Sequence, residues 1–476
     1  MACVGDCNDD GSVTVDELVT GVNVALGTQS VRACPHFDCD GTGAVAVGCL
    51  IQGVNNALNG CPTAQFYPEH RIPVGQDPLS LTVADLNGDG HLDLVMPNAV
   101  LFDRLFVLLG KGDGNFVAAP PTTGVPSVSL LMSDLNGDGH PDFVAPTVFS
   151  RDARVLFGRG DGSFFVGNTF DLGGAGQNVL LDDLNADGHS DLATIDYNAG
   201  IASVVLGNGD GTFAAPKTFS VGTLPRFIIA ADLNEDGHPD LVTANSGTDN
   251  VSVLLGAGDG TFAGAQFFPA AAQPGQIAIA DLNGDGHLDV LTDSRATDVM
   301  AVLLGAGDGH LDAAQTFTSG ASFAAPFRLV DVNADGHLDV ITLDEGNNSA
   351  VVLLGRGDGT FDTLAEFTVG LRPDAIAAAD LNGDGYLDLV TTSSTGDDVS
   401  VLIGRGDGTF APAQIFPVGN GPAAAVIADL NEDGRPDLAT ANIASGDLSV
   451  LLARPAPASA APQHTSSARP NRFEDH

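Results

Sequence analysis

The stretch Asp85–Asp93 reads DLNGDGHLD, and close copies of it recur along the chain. They are DLNGDGHPD at Asp134–Asp142, DLNADGHSD at Asp183–Asp191, DLNEDGHPD at Asp232–Asp240 and DLNGDGHLD at Asp281–Asp289. DVNADGHLD at Asp331–Asp339, DLNGDGYLD at Asp380–Asp388 and DLNEDGRPD at Asp429–Asp437 complete a set of eight. Successive copies lie 49 residues apart, with one step of 50. A fixed period of this length marks a chain that repeats one supersecondary unit. A second signal, GxGDGxF or close to it, runs between the copies at Gly110–Phe116, Gly158–Phe164, Gly207–Phe213, Gly256–Phe262, Gly305–Leu311, Gly355–Phe361 and Gly404–Phe410. This one occurs only seven times.

Within a unit the apolar runs are short, rich in Val, Leu and Ile, and bounded by Gly, Asp and Asn, which predicts strands. In the fourth unit they are RFIIAADL, PDLVTAN, NVSVLLG and, after the GDG turn, AQFFPA. Four strands in such a unit make one propeller blade. The expected fold is therefore all-β, an eight-bladed β-propeller over residues 63–453, with a small α-helical, cysteine-rich module at 1–62 and an Ala/Pro/Ser-rich disordered tail at 454–476. Eight loops against seven GDG turns also predict how the ring closes. AQFYPEHRIPVG, following Cys61, resembles the strand that elsewhere follows a GDG turn, as in AQIFPVG at Ala413–Gly419. The last unit stops at LSVLLA without that strand. Residues near Ala64–Val74 are thus expected to complete the last blade and remove an exposed edge.

The 476-residue chain has 18 Lys plus Arg against 61 Asp plus Glu, a net charge of −43. Such a field repels nucleic acid and anionic membrane. No apolar stretch approaches the roughly 18 residues of a membrane helix, and MACVGDC shows neither the basic nor the apolar region of a secretory signal. About half of the acids fall in the repeated loops and GDG turns.

The loop chemistry follows from its spacing. Asp85, Asn87, Asp89 and Asp93 place oxygen side chains at positions 1, 3, 5 and 9 of a tight turn that Gly90 permits. The same positions fall on Asp134, Asn136, Asp138 and Asp142, on Asp183, Asn185, Asp187 and Asp191, and on Asp232, Asn234, Asp236 and Asp240. They continue at Asp281, Asn283, Asp285 and Asp289, and at Asp331, Asn333, Asp335 and Asp339. The last two sets are Asp380, Asn382, Asp384 and Asp388, then Asp429, Asn431, Asp433 and Asp437. Carboxylates about 4 Å apart repel by roughly 4 kcal/mol per pair at an effective dielectric near 20. A hydrogen-bonded Asx turn needs one Asp or Asn, not four, so the density predicts a hard cation. A flexible, oxygen-only set favours Ca2+ over Mg2+. At a hundredfold excess over its dissociation constant, each ion adds about 2.7 kcal/mol to stability, and a calcium-dependent ring is expected.

The eight loops with their GDGxF turns resemble the FG-GAP or VCBS repeats of bacterial secreted proteins, which are similar to the calcium-binding blades of integrin alpha-subunit propellers. The resemblance implies side-chain ligands at positions 1, 3, 5 and 9 and a backbone carbonyl at position 7. That carbonyl falls on His91, His140, His189, His238, His287, His337, Tyr386 and Arg435, whose side chains are then expected in solvent. The family serves adhesion, ligand binding or scaffolding, and its name supplies no substrate.

The N-terminal segment carries a second calcium pattern. In DCNDDGSVTVDE, residues Asp6, Asn8, Asp10, Ser12 and Glu17 occupy positions 1, 3, 5, 7 and 12 of an EF-hand loop, with Gly11 at position 6. Thr14 and Glu17 form a capping box opening a helix that ends at Gly27. A related copy, HFDCDGTGAVAVGCLIQGVNNALNG, keeps Asp38, Asp40 and Gly41 but lacks an acid near position 12. The pair resembles a dockerin module, implying a cohesin-like partner. Cys3, Cys7, Cys34, Cys39, Cys49 and Cys61 are the chain's six cysteines. An even count in so short a segment reads as disulfides formed in an oxidising compartment, with 15 pairings open, and zinc is the competing assignment.

Two assignments compete for the ring. One is a secreted or cell-surface binding or adhesion propeller holding about nine Ca2+ with the EF-hand site included, with an extracellular protein or glycan as ligand. The other is a carbohydrate-binding or polysaccharide-processing component. No Ser, His and Asp set or carboxylate pair stands outside the repeats, and with no Trp and three Tyr there is little surface for sugar stacking, so no enzyme is expected. The RGD strings at Arg159–Asp161, Arg356–Asp358 and Arg405–Asp407 read as xGDG hairpins, and the recurrent Phe as packing between blades. Partners are expected on the face opposite the calcium loops, where Asp103, Arg104, Arg151, Asp152, Asp196, Tyr197, Arg226, Ser294, Arg295, Arg328, Asp344, Glu345 and Arg372 depart from the repeat.

Overall fold

The computed structural model describes residues 66–454 except 76, 99–103, 128, 148–149, 175–177, 322–324 and 363–364. The N-terminal EF-hand and dockerin-like expectation, all six cysteines and the tail beyond 454 lie outside the described residues. Phe66–Ala453 forms one compact unit of eight antiparallel sheets. Blades are numbered here by their loops, from Asp85 to Asp429. The expected eight-bladed all-β propeller is the fold observed, and no helix occurs among the described residues.

Blade 4 shows how sequence becomes blade. Its strands are Pro225–Ala231, Asp240–Asn245, Asn250–Leu254 and Gln266–Pro269, paired in chain order. Pro225 opens the first strand, where a missing N–H costs no ladder bond, and Pro274, Pro373 and Pro422 do the same in blades 5, 7 and 8. The second strand, DLVTAN, is buried at every position, because neighbouring blades cover both its faces. Val242 and Val253 of blade 4 share one apolar cluster with Ile277 and Val290 of blade 5. On the other side Leu241 and Leu254 pack with Ala193 and Val204 of blade 3. The core thus lies between blades. At about 1.5–3 kcal/mol for each fully buried aliphatic side chain, blade-to-blade packing dominates the ring's stability.

The first strands of adjacent blades touch one another and surround the axis, while the fourth strands are largely exposed at the rim. The repeated acidic loop joins strands one and two, and the GDG turn joins strands three and four. Both therefore sit at one end of the blades, and the two-to-three turns and blade-to-blade connections sit at the other.

Closure follows the sequence expectation. His70–Pro73 pairs antiparallel with Asp447–Leu451, setting Ile72 against Leu448 as the fourth strand of blade 8. Phe66 bridges Ala453, and its ring meets Phe416 of blade 7 edge-on at 5.1 Å.

Candidate functional site

The repeated loops share one hydrogen-bond scheme. In blade 1 the Asp85 carboxylate accepts the N–H of Gly88 at 2.8 Å and of Gly90 at 2.9 Å. Asn87 Oδ1 accepts the Asp89 N–H at 3.0 Å, and Asp89 Oδ1 accepts the His91 N–H at 2.9 Å. Asn87 Nδ2 donates to the other Asp89 oxygen. The turn requires left-handed backbone at its fourth and sixth residues, Gly88 at φ 71° and Gly90 at φ 89°. Ala186, Glu235, Ala334 and Glu432 adopt the same conformation at the fourth position at a steric cost. All eight loops repeat the bonds from the sixth N–H to the first Asp and from the seventh N–H to the fifth Asp. Three oxygen-bearing residues are thus used in one Asx-turn network, where sequence reasoning had allotted such a turn a single Asp or Asn.

The ninth-position Asp differs from its neighbours. Asp93, Asp142, Asp191, Asp240, Asp289, Asp339, Asp388 and Asp437 are all fully buried. Asp93 Oδ2 accepts the Leu86 N–H at 2.9 Å and its Oδ1 the Gly110 N–H at 2.8 Å. The carboxylate thereby ties the loop to the third strand. In blade 8, which lacks a GDG turn, Asp437 Oδ1 accepts the Ala453 N–H at 2.7 Å instead. Burial pushes these carboxyls upward, to about 6 for Asp191 and Asp437 and about 7 for Asp388. The like charges of loop positions 1 and 5 push in the same direction. Conversely, the seventh N–H holds Asp89, Asp138 and Asp285 below the usual carboxylate range.

The donor set fits a hard cation in kind. Each loop offers only oxygen, its carboxylates sense one another's charge, and a carboxylate that accepts one N–H per oxygen keeps lone pairs free. In convergence it does not form a cage: among the described residues no three His, Cys, Asp or Glu side chains are grouped so that they could hold a metal ion.

The seventh side chain reaches solvent, with His140, His189, His337 and Tyr386 exposed, but it also lies against the GDG turn of its own blade. A Cβ placed on Gly112, Gly160, Gly209, Gly258, Gly307, Gly357 or Gly406 would collide with the seventh-position ring of the same blade. The first glycine of each GDG turn is therefore the seat of that His or Tyr. The His91 and His287 rings also meet Glu432 and Glu235, the fourth residues of the preceding blades' loops. In blade 8 Arg435 pairs with Asp433 of its own loop. The next glycine links blades through its backbone: Gly114 N donates to Leu430 O, Gly211 N to Leu135 O and Gly309 N to Leu233 O. Sequence reading missed both contacts, although Gly at each position and an aromatic ring at the seventh were signals for them.

The GDG aspartates are turn residues. Asp161, Asp358 and Asp407 of the RGD strings each accept the N–H two residues on. Arg159 lies over the Phe165 ring at 5.5 Å, and Arg356 pairs with Asp362. The recurrent Phe packs between blades as expected: Phe213 on Phe170, Phe262 on Phe219 and Phe361 on Phe317.

At the opposite end, Asp103 lies outside the described residues. Arg151 donates to Asp196 at 2.8 Å across blades 2 and 3. Arg226 reaches from blade 4 over the Tyr197 ring of blade 3 at 4.6 Å, donating to its hydroxyl at 3.1 Å. Arg372 approaches Glu345 at 3.6 Å.

Fold and loops together define a closed propeller with a repeated Asp/Asn loop in each blade. The FG-GAP-like repeat matches residues 134–194, 183–243, 232–292, 331–391 and 380–440, and the chain belongs to that family. No curated protein matches it. Among solved structures, an Agrocybe aegerita lectin that recognises non-reducing terminal N-acetylglucosamine is 20% identical, with a TM-score of 0.46 over 76% of this chain and 99% of that one. A catalytically inactive virginiamycin B lyase from Staphylococcus aureus, with quinupristin, is 14% identical, with a TM-score of 0.42 over 82% and 99%. These likenesses concern shape and carry no chemistry across.

Proposed function

We propose that the chain is a secreted or cell-surface binding propeller, not an enzyme, in which calcium has a structural role. In this reading Asp85, Asn87, Asp89, Asp93 and the His91 carbonyl, with their counterparts in seven other blades, would hold the ions. A bound divalent cation supplies charge neutralisation to a chain carrying −43. The observation that carries the reading is the eightfold repetition of an oxygen-only loop whose buried ninth carboxylate lies in the field of two like charges. The EF-hand pattern at Asp6, Asn8, Asp10, Ser12 and Glu17 adds a ninth site, and the dockerin resemblance a cohesin-like partner. Spending eight loops on the framework leaves the opposite end for an extracellular protein or glycan.

The test is thermal unfolding of the whole chain in chelator and in millimolar calcium, beside magnesium. A calcium-selective rise in melting temperature supports the reading, and superimposable transitions refute it. Screens for hydrolase and lyase turnover on polysaccharides address catalysis, since any turnover abolished by a point substitution would replace binding with enzymatic function.

A further inference from the structure

The end of the ring opposite the acidic loops contains an open bowl of about 430 Å³. It is built by the axial ends of the first strands of blades 4, 5 and 7, the end of the second strand of blade 5, and Pro326 just before blade 6. The volume is that of a small-ligand site.

Its base is fixed by bonds between neighbours. Asp293 is buried and accepts the N–H groups of Gly275 and Gln276 at 3.1 and 2.6 Å. Gln276 in turn clasps blade 6, its amide donating to Phe327 O at 3.2 Å and accepting the Phe327 N–H at 3.3 Å. These groups are spent on structure.

Three others keep donors or acceptors in reserve. Arg226 and Arg295 both line the bowl, and among the described residues neither has a carboxylate within ion-pair distance, in a chain with 61 acids and 18 Lys plus Arg. Arg226 is aimed by the Tyr197 ring beneath it, which leaves most of its planar fork of N–H donors open. Asp374 also lines the bowl; one of its oxygens accepts the Ser394 N–H at 3.0 Å, which leaves the carboxylate further acceptor capacity. Phe227 and Pro326 add apolar wall.

We propose that this bowl binds a hexuronic acid, its carboxylate taken by Arg226 and Arg295 and a ring hydroxyl by Asp374. Arginine is the side chain best matched to a carboxylate, through paired charge-assisted bonds. A carboxylate beside it accepts from hydroxyl, which excludes a bare anion as the best ligand. Recognition by charge and hydroxyl also suits a chain with no Trp for stacking. The identification rests on the binding-propeller reading above and gives it a ligand class.

The experiment is isothermal titration of the full chain in saturating calcium with galacturonate, glucuronate, galactose, glucose, acetate and inorganic phosphate. Hexuronates are expected to bind with a dissociation constant of about 1 mM or tighter and the neutral hexoses at least about tenfold more weakly. Arg226→Ala and Arg295→Ala should each weaken hexuronate about tenfold or more in a chain that still melts cooperatively, the first with a small drop in melting temperature for its lost Tyr197 contact, and Asp374→Asn should weaken hexuronate but not acetate. An oligogalacturonide that binds as well as the monomer identifies a polymer terminus as the source, and loss on lengthening identifies the free sugar acid. Equal affinity for hexose and hexuronate, tighter binding of phosphate, or full binding by both arginine variants overturns the proposal. Should calcium stabilise the ring while no hexuronate binds, the bowl alone is refuted. Should hexuronate bind a ring indifferent to calcium, the metal reading alone fails.

Discussion

Within each loop the four oxygen-bearing residues divide their work by burial. Asp240 is fully buried and satisfies the N–H groups of Leu233 and Gly256 at 2.9 and 2.7 Å. Asp240→Ala strands both donors, at about 1–3 kcal/mol each, so denaturant unfolding should show a loss of about 2–4 kcal/mol even in chelator. Asp236 lies at the exposed tip, and Asp236→Asn should cost stability chiefly when calcium is present. The ninth carboxyls also set a pH dependence. Burial raises their pKa values in the folded chain, to about 6 for Asp191 and Asp437 and about 7 for Asp388, above the ordinary carboxylate range they return to on unfolding. Their contribution is fully present below that range and is lost as pH rises through about 6 to 7. In chelator the melting temperature should therefore be higher at pH 5.5 than at pH 7.5. Calcium, which favours the ionised form, should reverse that order, and melting curves at the two pH values with and without metal check both signs. The oxygen-only donor set of DxNxDGxxD was legible in the residues themselves. That one of its carboxylates is buried strand scaffolding was not, because the motif gives no burial.

Blades are held by what the turns do to their neighbours. Gly309 has φ 79°, donates to Leu233 O of blade 4, and lies so close to Leu255 that a Cβ would overlap that side chain. Gly309→Ala combines backbone strain with overpacking and should cost about 2–4 kcal/mol by chemical denaturation. The same substitution at Gly264, where a Cβ meets nothing, should be close to neutral. The strand pattern was readable since alternation, Gly and Asp punctuate every unit, and the missing eighth GDG turn foretold the pairing of His70–Pro73 with Asp447–Leu451. The seating of each seventh-position ring on its GDG glycine went unread, although both residue types recur, because it joins residues about twenty positions apart across two turns. Deleting the chain through Pro73 should leave Asp447–Leu451 as a bare edge. Size-exclusion chromatography should then show self-association, and melting should fall by several degrees.

Across the ring, eight near-identical interfaces carry the stability, and asymmetry is confined to a few places. Glu occurs at the fourth loop position only in blades 4 and 8, and there it meets His287 and His91 of the next blade. The second of these contacts lies at the junction of the last blade with the first. The bowl draws its arginines from residues that depart from the repeat, and the sequence marked those residues but not a pocket: Arg226, Arg295 and Asp374 are distant in the chain and line one cavity only in the folded ring. The proposed function makes the acidic loops a framework and the irregular end a binding surface, and this division depends on the loops holding ions. Native mass spectrometry of the full chain, titrated with calcium after exhaustive removal of metal, counts them directly. The account predicts about nine ions, eight from the ring and one from the EF-hand loop, with the melting temperature climbing as they load. A chain that takes up none, and melts at the same temperature throughout, contradicts it.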